Sequence, residues 1–173
     1  RGCIGRCNFC SITLHQGDRI VSRSEKSILE EIRRITLLPE FKGYIDDLGG
    51  PSANMYGMDF ENNKMDISHK RLIKLMQDAR KIKGIKKIFI RSGVRYDFAL
   101  NSKEYIKELS EHHVSGSLKI APEHVNEKVL GFMNKPGKKF KEFVEYYNSL
   151  NKDKRQFLSY YFMIGHPGDD IES

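Results

Sequence analysis

Apolar residues recur every three or four positions in five stretches of the chain, and this spacing predicts amphipathic helices. The predicted helices cover residues 24–38, 68–83, 102–113, 126–133 and 138–150. We expect Ser24 and Ser102 to be N-caps, because a serine hydroxyl accepts a hydrogen bond from an unpaired amide of the first helical turn. Pro39, Gly84 and the break Lys135-Pro136-Gly137 should end or separate these helices.

Short continuous apolar runs lie between the helices and predict strands. These runs cover residues 43–48, 87–91, 117–121 and 157–164. Strands that alternate with helices are typical of parallel βα units, and strands without polar alternation are covered on both faces. The pattern therefore predicts an α/β fold, either a parallel (β/α) barrel or an open sheet.

Polar residues and glycines follow the carboxyl end of every predicted strand. They are Asp46, Asp47, Gly49 and Gly50 after the first strand, Arg91 and Arg95 after the second, Glu123 and His124 after the third, and His166 after the fourth. Each residue alone could simply form a βα turn. Because the carboxyl ends of parallel strands meet at one edge, where sites of such folds are built, we expect a single ligand region there.

Composition narrows the class of protein. The chain has 173 residues, 39% of them hydrophobic and 31% charged, which is typical of one folded domain and excludes a disordered chain. No apolar run approaches the roughly 20 residues that span a bilayer, so we expect no membrane partner. The net charge of +7 permits an anionic partner such as RNA. The lysine runs near residues 80–87 and 135–141 are typical of solvated helix faces and turns.

All three cysteines lie in the first ten residues, with the spacing C-x3-C-x2-C. They are Cys3, Cys7 and Cys10. Thiolates are soft ligands for zinc or iron–sulfur clusters, and an odd, clustered set does not suit a disulfide framework. We expect a reducing, cytoplasmic location. Gly2 and Gly5 should let the loop turn back through positive φ.

Three ligands are one fewer than a closed site needs, and catalytic metal sites keep such a position open. One alternative is a structural zinc site with His15 as the fourth ligand, in a non-catalytic α/β binding module that could take RNA. Another is a folded but empty domain with a disordered cysteine loop.

The cysteine motif, with Phe9 before its last cysteine and a βα array after it, resembles the radical SAM superfamily. Longer strings resemble its YgiQ-type family. They are DLGGPSANMY at 47–56, RSGVRYD at 91–97, LKIAPEH at 118–124, KPG at 135–137 and HPG at 166–168. The resemblance implies a partial parallel (β/α) barrel of the radical SAM type, truncated at both ends. Residues 1–173 would form a core domain fragment without its first and last strands.

The resemblance also implies the chemistry. Cys3, Cys7 and Cys10 would hold a 4Fe-4S cluster whose fourth iron is chelated by S-adenosylmethionine (SAM). An external one-electron reductant, such as a flavodoxin or ferredoxin, would supply the electron that cleaves the sulfonium. The resulting 5′-deoxyadenosyl radical would abstract hydrogen from a substrate, a small molecule or RNA.

The same resemblance implies six SAM-binding residues: Phe9, Gly49, Gly50, Glu123, Ile164 and Gly165. The glycine pair would meet the SAM amino group, Glu123 the ribose or carboxylate, and Ile164 with Gly165 the adenine. Phe9 would shield the cluster or stack on the adenine. The cations Arg91, Arg95 and His166 either meet an anionic group of SAM or substrate, or form ordinary ion pairs and loop hydrogen bonds.

One departure concerns a second cysteine-rich stretch that relatives carry after the GGPSANM-type string. Residues 56–64 of this chain contain no cysteine.

Overall fold

Helices and strands alternate through the chain in a computed structural model, which describes residues 1–50, 52–61, 64–135, 137–153 and 155–171. The helices are α1 (Ile12–Gln16), α2 (Glu25–Ile35), α3 (Lys70–Arg80), α4 (Tyr96–Ala99), α5 (Lys103–Glu108), α6 (Glu127–Phe132) and α7 (Phe140–Leu150). The strands are β1 (Tyr44–Ile45), β2 (Phe60–Glu61), β3 (Lys64–Met65), β4 (Lys87–Ile88), β5 (Ser117–Glu123) and β6 (Phe157–Phe162). Pro51 of the glycine-rich string and Pro136 of the expected helix break lie outside the described residues.

The four predicted strands pair in parallel. β1 pairs with β4 and β5 with β6, in the registers Tyr44↔Lys87 and Ser117↔Phe157. A parallel bridge from Val94 to Ile120 joins the segment after β4 to β5. The fold is therefore α/β with small parallel sheets, and its described residues form no closed barrel. The antiparallel β2–β3 pair has no counterpart in the predicted strands.

Both predicted serine caps are confirmed. Ser24 Oγ accepts a hydrogen bond from the Ser27 amide at 3.2 Å, and Ser102 Oγ accepts one from the Tyr105 amide at 3.2 Å. The predicted extension of α2 to residue 38 is wrong. Leu37 and Leu38 are 82% and 57% exposed, so the last turn has no core to pack against and the helix ends at Ile35.

The predicted helix over residues 102–113 changes character halfway. α5 ends at Glu108 and continues as a π-helical turn, Leu109–His113. The wider turn ends with the buried ring of His113 between two acceptors, the Ile88 carbonyl at 2.8 Å from Nδ1 and Glu108 Oε1 at 3.2 Å from Nε2.

The main core lies between the parallel strands and the helices α3, α5 and α7. The predicted apolar stripe of α3 is buried at Leu72, Leu75, Met76 and Ala79. The largest buried side chains of this core are Tyr96, Tyr105, Phe143 and Tyr147. Fully burying one aromatic or aliphatic side chain contributes about 1.5–3 kcal/mol, so this packing holds the strand ends in place. No helix in the described part of the chain is both long and apolar enough to cross a membrane.

Candidate functional site

The cysteine loop, residues 2–10, has a defined conformation with three half-buried free thiols. The Cys10 amide donates to the Cys7 carbonyl at 3.0 Å, and the Cys3 amide donates to the Gly17 carbonyl at 3.1 Å. The expectation of positive φ is confirmed at Gly2, with φ of 89°, but is wrong at Gly5. The left-handed residue in the middle of the loop is Arg6, with φ of 47°.

Asparagine hydrogen bonds fasten the cysteine loop to the end of α6. The backbone amide of Asn8 donates a hydrogen bond to the Met133 carbonyl at 3.0 Å, and the side-chain Nδ2 of Asn8 donates one to the Phe132 carbonyl at 2.7 Å. In return, Asn134 Nδ2 donates to the Arg6 carbonyl at 2.8 Å. These bonds span both sides of Cys7 and therefore hold its backbone against α6.

The guanidinium of Arg95 lies beside Cys7, with Nη1 at 4.0 Å from Sγ. It forms a two-point ion pair with Asp97, at 2.8 and 2.6 Å, and the two side chains are only 11% and 9% exposed. It also lies 4.9 Å from the centroid of the Phe98 ring. A Cβ at Gly5 would lie 2.5 Å from Arg95 Nη1, so glycine is needed there for close approach rather than for its φ.

Asn54, fully buried, holds the backbone of Arg95. Its Oδ1 accepts from the Arg95 amide at 2.8 Å, and its Nδ2 donates to the Arg95 carbonyl at 2.9 Å. These two bonds fix the orientation of the Asn54 side-chain amide, so its Nδ2 is a donor and also donates to His69 Nε2 at 3.2 Å. The His69 ring stacks on Tyr105 at a centroid distance of 4.7 Å. The GGPSANM and RSGVRYD strings are thus physically joined.

A second buried ion pair influences the same thiol. Lys135 Nζ lies 3.1 Å from Glu123 Oε1, and the two side chains are 4% and 14% exposed. Burial raises the pKa of the Cys7 thiol, and the positive charges of Arg95 and then Lys135 oppose that rise. Two cations therefore favour the thiolate, which is the form that binds metal.

The donor set suits an iron–sulfur cluster better than a single zinc ion. Among the described residues, no group of three or more His, Cys, Asp or Glu side chains is arranged to hold one metal ion, and His15 is exposed. A structural zinc site needs four ligands at about 2.0–2.3 Å, so the zinc alternative has no support here. In a 4Fe-4S cluster each thiolate binds a different iron, and the donors here are three half-buried thiols, with two cations that favour the thiolate of Cys7.

The two glycines after β1 differ in their surroundings. A Cβ at Gly49 would lie 2.7 Å from Ser92 Oγ and 2.9 Å from Asp47 Oδ1, so the protein itself requires glycine there. At Gly50 a Cβ would meet, among the described residues beyond its chain neighbours, the Ser52 carbonyl at an ordinary 3.7 Å. Both glycines line a cavity of about 350 Å³ that Gly2, at the start of the cysteine loop, also lines.

The remaining expected SAM contacts lie elsewhere on the edge and are not among the described residues lining that cavity. Phe9 packs against the apolar side of α6 and meets the His166 ring edge-to-face at 6.4 Å. Ile164 is 92% exposed, and the Gly165 amide donates to Asp169 Oδ2 at 2.7 Å. The Glu123 carboxylate is engaged by Lys135.

The three weaker cationic candidates all have protein partners. Arg91 forms an exposed ion pair with Asp46 at 3.1 Å, and Arg95 pairs with Asp97. His166 Nδ1 lies 3.1 Å from the Pro167 carbonyl. Of these, only Arg95 lies in contact with a cysteine.

Sequence reasoning missed the residues that position this site. They are Asn8, Asn54, Asp97, Asn134 and Lys135. Asn54 and Asp97 stand inside the two strings already singled out, next to the glycines and arginines that drew attention. The signal available was a buried amide within a glycine-rich loop, which needs hydrogen-bond partners from another segment.

The match to known proteins covers the whole chain: a family model described as Radical SAM superfamily matches residues 1–173. The chain belongs to the radical SAM superfamily. Its relatives include proteins named UPF0313 protein. The one from Methanosarcina mazei is 44% identical over 97% of this chain and 30% of its own length. That from Vibrio parahaemolyticus is 46% identical over 99% and 25%, and that from Fusobacterium nucleatum 42% over 97% and 34%.

The chain thus spans between a quarter and about a third of the length of these relatives. The alignment with a Clostridium botulinum relative runs over 196 residues and covers 100% of this chain, 23 positions more than its 173 residues. The relative therefore carries inserted residues that this chain lacks.

Proposed function

We propose that residues 1–173 form the cofactor-binding core of a radical SAM enzyme, as one domain built on a partial (β/α) barrel. The observation that carries this proposal is the cysteine loop. Its three half-buried thiols are docked on α6 beside two buried cations, in a chain of the radical SAM superfamily.

Cys3, Cys7 and Cys10 would each bind one iron of a 4Fe-4S cluster and leave the fourth iron for SAM. The chemistry supplied by the two cofactors, when bound, is one-electron cleavage of the sulfonium and release of a 5′-deoxyadenosyl radical that abstracts hydrogen. The part of this chain is to hold the loop through Asn8 and Asn134 and to place Arg95 against Cys7.

Six residues would bind SAM directly or shape the space around SAM and the cluster. The backbone at Gly50, where a Cβ would be in ordinary contact with the Ser52 carbonyl, would meet the amino group, while Gly49 keeps the turn against Asp47 and Ser92. The Oε2 of Glu123 would meet the ribose, since Oε1 is held by Lys135. Exposed Ile164 and the backbone of Gly165 would flank the adenine, and Phe9 would cover the cluster from the side of α6.

The reaction also needs an external one-electron reductant of the flavodoxin or ferredoxin type and a substrate, a small molecule or RNA. We place the substrate at the carboxyl-end edge of the strands, because ligands of parallel α/β folds bind there.

Anaerobic reconstitution of the full-length protein with iron and sulfide tests the proposal. We expect bound iron and inorganic sulfide, together with SAM cleavage to 5′-deoxyadenosine under a strong reductant. Cys7→Ala should abolish cleavage, because the cluster then loses one of its three protein ligands.

His15→Ala is the matched control, since it removes an exposed side chain that only a zinc site would use. It should leave iron, sulfide and SAM cleavage unchanged. Cleavage that persists in Cys7→Ala, or stoichiometric zinc without iron in oxygen-protected protein, would overturn the proposal.

A further inference from the structure

Among the described residues, Arg95 is the cation whose contact with a cysteine sulfur is direct: its Nη1 lies 4.0 Å from Cys7 Sγ. An arginine stays positively charged at every working pH, so this is a permanent charge beside a candidate cluster ligand. The second cation, Lys135, acts on Cys7 through space while its ammonium is bound to Glu123.

The position of the guanidinium is determined from several sides. Asp97 binds it at two points, Phe98 lies against it, and Asn54 holds its backbone amide and carbonyl. Gly5 leaves the space that the guanidinium occupies. A side chain needed only to neutralise Asp97 would not require a glycine in the cysteine loop.

We propose that Arg95 is a positioning residue that raises the reduction potential of the cluster by placing its charge against the Cys7 sulfur. This inference rests on the proposed function. Adding an electron makes the cluster more negative. Asp97 balances the charge of Arg95, but Asp97 binds Nε and Nη2 while Nη1 lies 4.0 Å from Cys7 Sγ, so the positive end of the ion pair faces the sulfur and stabilises that state. Net charge and hydrogen bonds to the sulfurs are general determinants of cluster potential. Arg95 would thus ease reduction by the external one-electron donor.

The test is an EPR-monitored redox titration of the reconstituted full-length protein, with dithionite as reductant and no SAM present. The variant Arg95→Gln/Asp97→Asn removes both charges without leaving a buried unpaired carboxylate. It should lower the ratio of reduced to oxidised cluster at a fixed potential by tenfold or more, which is about 59 mV for one electron. We call this double variant the neutral pair. Arg95→Lys keeps the charge and should change the ratio by less than the neutral pair does.

Two further variants keep the test decisive. Gly5→Ala changes no charge, and its Cβ would lie 2.5 Å from Arg95 Nη1 and 3.3 Å from Cys3 Sγ, so the larger displacement is that of the guanidinium. It should shift the ratio in the same direction as the neutral pair. Arg71→Gln/Asp59→Asn removes a more exposed ion pair, at 2.6 Å, that is not among the main charges acting on Cys7, and it should leave the potential unchanged.

Iron and sulfide content, measured first, separates this inference from the proposed function. Failure of the wild-type protein to take up a cysteine-dependent cluster would remove both. A cluster that is present, with the same potential in wild type, the neutral pair and Gly5→Ala, would overturn the role of Arg95 alone. If the neutral pair takes up no cluster, Gly5→Ala decides: a potential equal to that of the wild type would overturn the role of Arg95.

Discussion

Lowering the pH should lower the unfolding free energy of this fold through one buried histidine, His69. His69 is 2% exposed, and burial lowers its pKa from 6.5 to about 4. The Nε2 of His69 accepts a hydrogen bond from Asn54 Nδ2. A proton on Nε2 would remove this acceptor and leave two N–H donors facing each other. The folded protein therefore takes up this proton at lower pH than the unfolded chain does.

The sign and size follow from that difference. Between pH 6.5 and about 4 the unfolded chain binds the proton and the folded protein does not, so stability falls as the pH falls through this window. The contribution of His69 should be about 2 kcal/mol between pH 7 and pH 5, and about 3 kcal/mol when the window is complete.

Urea unfolding of the metal-free chain at pH 7 and pH 5 measures this. His69→Asn removes the titrating ring and suits the left-handed backbone there, with φ of 59°. The difference in unfolding free energy between the two pH values should shrink by about 2 kcal/mol in this variant. His15→Asn removes an exposed histidine as a control. An equal pH dependence in wild type and His69→Asn would refute the reasoning.

Two other predictions concern the glycine pair and the second cation. Gly49→Ala should lower the unfolding free energy by about 1–3 kcal/mol, because its Cβ collides with neighbouring side chains. Gly50→Ala should leave the unfolding free energy nearly unchanged but weaken SAM binding measured by calorimetry. Equal losses of stability in the two variants would contradict this prediction. Lys135→Met/Glu123→Gln should raise the pKa of Cys7 and slow the alkylation of this thiol by iodoacetamide at pH 8. The rate is measured in protein whose Cys3 and Cys10 are replaced by serine. An unchanged rate would show that Lys135 does not act on this thiol.

Patterns that repeat along the chain predicted the architecture well. The stripe of α3 and the serine caps of α2 and α5 were readable because helical spacing and capping are local properties. α1 and α4 were missed because helices of five and four residues show no periodicity. The end of α2 was misplaced because Leu37 and Leu38 look apolar in sequence but have no core to meet.

The site was predictable only as an edge. Parallel strands bring their carboxyl ends together, so topology predicts an edge that carries the polar residues, and a single ligand region at that edge stays a prediction. Which side chains meet did not, because Asn54 and Arg95 are 41 residues apart and no spacing rule connects them. Gly5 shows the same limit, since a glycine in a sequence can signal either a left-handed backbone or a close neighbour.

The asparagine tethers have a consequence for how the domain assembles. The cysteine loop lies at the start of the chain, yet the residues that anchor it lie 124 and 128 positions later. Contacts of such long sequence separation form late, because the intervening chain must first be ordered. We therefore expect nascent chains that end before Phe132 and Asn134, and so lack these anchors, to leave the three thiols on an untethered segment. Maturation of the metal centre would follow, rather than guide, the folding of the rest.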